Sequence, residues 1–163
     1  MSNVHTKAQA SAPDRLHIRT WLSPSVPLEC VEVIGDVLHG TLGLEVVVSA
    51  EPMRSGPKRD SREPLTSEGV DIGLMCSPPY RWLRNQTPPG GVLLPVIHVF
   101  DDERTRGQPV YFADVYVRSK APYQALADLR GARPVYNDRC SLSGYLGLSY
   151  ALSGTGHTLE TFL

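Results

Sequence analysis

From Leu16 to Leu22 apolar and polar residues alternate, Leu-His-Ile-Arg-Thr-Trp-Leu, the period of a strand with one buried face. Ser23-Pro24-Ser25-Val26-Pro27 then reads as a turn, since proline cannot donate to a ladder. Beyond it the spacing changes. Val31, Ile34, Leu38 and Leu42 recur at three and four residues, which predicts a helix with Gly43 as its stop. The β-branched run 44–48 predicts a second strand, 70–76 a short buried one, and 92–100 a further apolar strand. Between them, 51–68 mixes prolines, serines and charges of both signs and reads as a solvated loop. Pro78 and Pro79 suit a helix start, so a short helix is predicted over 80–85.

Residues 101–108 are charged and contain glycine, the composition of a linker or hinge. A second unit follows, with a strand at 110–117, a helix at 123–129 stopped by Gly131, a short strand at 133–136 and a helix at 144–152. Strands alternating with helices in this rhythm imply an α/β fold with largely parallel sheets. The division expected is a polar, disordered leader over 1–14, a first lobe over 15–105 and a partial second lobe over 106–163.

Composition narrows the function more than the fold. A chain of 163 residues with 41% apolar and 20% charged residues is globular, one domain or two small lobes. Its formal net charge of −1 provides no electrostatic footprint for nucleic acid. No stretch approaches the roughly 20 apolar residues of a membrane span, so direct membrane insertion is not expected. The first residues lack the basic-then-apolar order of a secretory signal. A cytoplasmic location follows, or a periplasmic or extracellular one if the true start lies upstream. Cys30, Cys76 and Cys140 are widely spaced and form no C-x-x-C or Cys/His cluster, which argues for reduced packing thiols and against structural zinc.

The chemistry concentrates in Asn137-Asp138-Arg139-Cys140-Ser141-Leu142-Ser143-Gly144-Tyr145. A loop leaving a strand and entering a helix presents backbone N–H groups that have no partner inside the helix, at the positive end of its dipole. That is an anion site, to which serine hydroxyls add donors and which Gly144 lets a ligand approach closely. The alternative is that Ser141 or Ser143 is only an N-cap, worth about 1 kcal/mol. Local sequence leaves both open.

Several motifs taken in order carry a resemblance. They are Val70-Asp71-Ile72-Gly73-Leu74-Met75-Cys76 with Pro79-Tyr80, the stretch Val110-Tyr111-Phe112-Ala113-Asp114-Val115-Tyr116-Val117-Arg118, then Leu126-Ala127-Asp128-Leu129-Arg130-Gly131, and finally the serine turn. Together they resemble the phosphate/phosphonate-type substrate-binding proteins of ABC transporters, which have the type 2 periplasmic binding-protein fold. The resemblance implies two lobes that close on a small oxyanion without chemistry, no cofactor, no metal, and a transporter permease as partner. It implies hydroxyl donors from Ser141 and Ser143, backbone N–H donors from Leu142, Ser143 and Gly144, and Tyr80 covering the ligand from the first lobe. Asp114 would take an amine contact or a structural role. Members of the family are longer, so the second lobe is expected to be incomplete.

Rival readings are a cysteine enzyme using Cys140 with His157, and a cytoplasmic sensor, interaction module or truncated remnant. A cysteine at a helix start has a lowered pKa, but the sequence assigns no acidic partner to orient His157. Gly154-Thr155-Gly156-His157-Thr158 lacks the order of a phosphate loop. Trp21 and Trp82 are expected to pack, and His17, His39 and His98 to be structural or exposed.

Overall fold

A computed structural model describes residues 14–22, 26–51, 54–58, 65, 69–87 and 89–162. The expected leader, apart from Asp14, and Ser23 to Ser25 of the expected turn lie outside the described residues, as does most of 59–68. In the N-terminal part, strands β1 (Arg15–Thr20), β2 (Glu45–Ala50) and β3 (Ile72–Leu74) form a parallel sheet of order β2-β1-β3, with helix α1 (Leu28–Leu42) connecting β1 to β2. Central β1 pairs along its whole length with β2, from Arg15 opposite Glu45 to Thr20 opposite Ala50. Ile18 on β1 and Val31 on α1 are fully buried, and Trp21 is buried with them, as expected of a packing tryptophan. Each such aliphatic burial contributes about 1.5–3 kcal/mol. A side chain at Gly35 would press on Val48 of β2, so glycine lets α1 approach the sheet.

The predicted α1 stop is present. Gly43 takes φ 69°, the left-handed cap that glycine adopts without strain, and its N–H donates to the His39 carbonyl. His39 Nδ1 also lies 2.6 Å from the Leu44 carbonyl oxygen, and the His17 ring sits between Ser49 Oγ and the Gly69 carbonyl at 2.8 and 3.0 Å. Both histidines are structural.

Helix α2 (Ser77–Arg84) begins three residues earlier than its apolar pattern suggests, because its prolines occupy the first positions, where no N–H is missed. The C-terminal part packs helix α3, which runs over 142–153 as a π turn (Leu142–Leu146) and an α-helix (Gly147–Ser153), against the short α4 (Leu159–Phe162). Leu129, Leu152, Leu159 and Phe162 form its core.

Three expected strands are not strands. Segments 92–100, 110–117 and 133–136 join no ladder among the described residues, and Val92, Tyr116 and Val135 are 90%, 89% and 98% exposed. Apolar and β-branched residues favour a pleated surface only where a neighbouring strand pairs their backbone. The expected helix over 123–129 is reduced to a 3-10 turn (Leu126–Leu129), where the Asp128 carboxylate accepts the N–H groups of Gln124 and Ala125 at 2.8 Å each. These two acceptor bonds hold its carboxyl below the usual carboxylate range. Residues 101–108 form a tight turn, with Arg106 and Gly107 both at positive φ. Asp114 has a structural role there: Arg104 bonds Asp102 and Asp114 at 3.0 and 3.1 Å while lying over the Phe112 ring.

Candidate functional site

The serine turn is built from its own backbone. The Asp138 carbonyl accepts the Ser141 N–H at 3.0 Å, and Asp138 Oδ1 accepts that of Cys140 at 3.0 Å. Ser141 is the N-cap of α3: its Oγ accepts the Gly144 N–H at 3.0 Å and its carbonyl accepts those of Tyr145 and Leu146. A side chain at Gly144 would fall on Asn137 Oδ1, so glycine is what lets that amide lie across the turn.

Two backbone donors at the start of α3 remain unspent. The N–H groups of Leu142 and Ser143 have no hydrogen-bond partner among the described residues, at the helix end whose dipole favours negative charge. Ser141 is 1% exposed, whereas Ser143 is half-buried and Leu142 and Gly144 are exposed. Of the five sequence-predicted site residues, four therefore lie consecutively on this turn.

The fifth, Tyr80, lies on α2 and is half-buried. The connection from α2 to the serine turn runs through the loop after β2. Ser55, Gly56 and Pro57 are buried there, although their polarity and charged neighbours suggested a solvated loop. The Ser55 carbonyl accepts the Cys76 N–H at 2.9 Å, next to the start of α2. In the other direction the Ser55 N–H donates to Asp138 Oδ2 at 3.0 Å, across 83 positions of sequence. Sequence reasoning missed Ser55; the compact Ser-Gly-Pro triplet was its only local signal.

Charge at the site is mixed. Burial pushes the Asp138 carboxyl up, but the N–H groups of Cys140 and Ser55, together with the Ser55 hydroxyl and the Arg54 charge, more than offset it and hold the group below its ordinary value. The Ser55 hydroxyl lies near that carboxylate without the geometry of a hydrogen bond. On the outer side, Arg139 lies over the Tyr145 ring, 5.6 Å from its centre, and Tyr145 donates to Glu160 at 3.2 Å. Tyr136 meets the same ring edge-on at 4.8 Å.

The rival cysteine chemistry has a different setting. His157 packs against Phe162 in the C-terminal core, with ring centres 5.4 Å apart. No group of three or more His, Cys, Asp or Glu side chains is placed to hold a metal among the described residues. Nor is any described helix long and apolar enough to cross a membrane.

The sequence pattern of the family described as ABC transporter, phosphonate, periplasmic substrate-binding protein matches residues 34–163. No curated protein and no solved structure matches the chain. The matched stretch contains Ser55, Tyr80 and the whole serine turn, and the small parallel sheet with its helices is consistent with a domain of that family. Proteins of this kind are the substrate-binding component of a transporter and not an enzyme. The chain belongs to the phosphonate-binding periplasmic substrate-binding proteins of ABC transporters.

Proposed function

We propose that this chain binds a small oxyanion, a phosphonate, phosphate or chemically similar group, at the N-terminus of α3, as the receptor of an ABC-type uptake system. The observation that carries the reading is the pair of N–H groups of Leu142 and Ser143, unspent among the described residues, beside the Ser143 hydroxyl. An oxyanion there accepts both and neutralises the dipole end. Residues 15–105 and 106–163 act as two lobes, with Tyr80 closing over the ligand from the first. Ser141 shapes the turn as its cap and offers its hydroxyl at the floor, while the exposed Gly144 keeps the approach open. The working place is the periplasm and the partner a transporter permease, as in the family. No catalysis, cofactor or metal is involved.

Thermal unfolding with inorganic phosphate, methylphosphonate and sulfate tests this. An anion at 100 times its dissociation constant adds about 2.7 kcal/mol and raises the melting temperature by several degrees. A selective shift that Ser143→Ala removes supports the assignment. A cooperative transition that none of the three anions moves overturns it.

A further inference from the structure

We propose that Asp138 is the positioning residue of this site, fixing the serine turn and tying it to the loop after β2; the inference rests on the oxyanion-binding reading. One residue supplies three acceptors. Its two carboxylate oxygens take the N–H groups of Cys140 and Ser55, and its carbonyl takes that of Ser141. The donors immediately before Leu142 are thus consumed, and Leu142 and Ser143 become the first free pair. Ser55 extends the tie, because its carbonyl holds the Cys76 N–H beside α2, the helix that carries Tyr80. A continuous path of hydrogen bonds, from the Cys76 N–H to the Ser55 carbonyl and from the Ser55 and Cys140 N–H groups to the Asp138 carboxylate, joins the two halves of the site.

The path does not depend on the Ser55 side chain. Its buried hydroxyl meets no partner in hydrogen-bond geometry, which is unfavourable in itself. The loop is therefore placed by its main chain and by the fit of Gly56 against Pro79. Asp138 touches no ligand in this arrangement. It acts through the orientation of the amides that follow it.

Amide hydrogen exchange on the full chain without ligand reads the tie directly, and titration with inorganic phosphate reads its consequence. In the wild type the Ser55 and Cys140 amides are protected; in Asp138→Ala both exchange about tenfold faster or more, together. Phosphate affinity falls about tenfold or more in Asp138→Ala and less in Asp138→Asn, which retains one acceptor oxygen. Asp128→Ala, which removes a similar amide-capping carboxylate from the 124–129 turn, leaves the affinity within about twofold. A purely structural role would lower affinity only as far as the loss of folded chain accounts for; positioning lowers affinity at temperatures where the variant, though it melts lower, is still fully folded. Unprotected Ser55 and Cys140 amides in the wild type, or unchanged affinity in a folded Asp138→Ala, overturn the proposal. If the wild type binds neither phosphate nor methylphosphonate, the binding reading fails, while the exchange data still decide whether Asp138 sets the turn.

Discussion

Gly56 lies so close to the Pro79 ring that a single added carbon would overlap the ring's Cβ and Cγ. Pro79 is fully buried on α2, and a change of ring pucker leaves its Cβ nearly where it is. Gly56→Ala must therefore displace the loop or the helix, at a cost of about 1–3 kcal/mol. Chemical denaturation should show that loss, together with faster exchange at the neighbouring Ser55 amide. Wild-type stability in Gly56→Ala would mean that the loop is looser than its packing implies.

The two serines of the turn should separate in their effects. Ser141→Ala removes the cap on the Gly144 N–H and is expected to cost about 1 kcal/mol. Ser143 caps nothing among the described residues, so Ser143→Ala should change stability by less than about 0.5 kcal/mol while weakening phosphate binding. Urea denaturation paired with calorimetric titration distinguishes the two; equal stability losses would remove the division of roles.

Core packing under α3 provides a third test. Leu152 is fully buried among Leu129, Leu159 and Phe162, and Leu152→Ala should cost about 2–5 kcal/mol. Thermal melting measures it. A loss below that range would show that the short α4 can collapse into the vacated space.

Acid should loosen the tie at Asp138. Burial pushes its carboxyl up, but the N–H groups of Cys140 and Ser55, with the Arg54 charge as a smaller contribution, hold it below the ordinary value in the folded chain. A depressed acid stabilises the fold in its ionised form. Its contribution is complete above the unfolded value of about 3.9 and is lost as pH falls through the lower folded value. The melting-temperature gap between wild type and Asp138→Asn should be constant at neutral pH and narrow below about pH 4. A gap that persists unchanged into acid would assign the effect to shape rather than charge.

Much of the frame was legible in the sequence because its signals are local. The spacing of Val31, Ile34 and Leu38 with Gly43 after them, the paired prolines before α2, and the serine cap of α3 each report on a few consecutive residues. The turn that Ser141 caps was readable for the same reason. The bond from Ser55 to Asp138 was not, since nothing in either neighbourhood encodes a partner 83 positions away. The loop reading at 51–68 failed at Ser55 to Pro57 because side-chain polarity says little where proline and main chain do the packing. Segments 92–100 and 110–117 were over-read in the opposite direction: their composition favours a strand, but pairing is a property of two segments and not of one.

All three strands of the sheet run the same way, so the chain leaves β2 and β3 at the same end of the sheet, and the stretches that follow, Ser55 to Pro57 and Cys76 to Tyr80, meet there. The residues that hold the frame, Ile18, Val31 and Gly35, lie elsewhere. Two segments far apart in sequence are welded at one end of the sheet: Gly56 sits on Pro79 and the Ser55 carbonyl holds the Cys76 N–H, so a change of length in either loop is felt by the other.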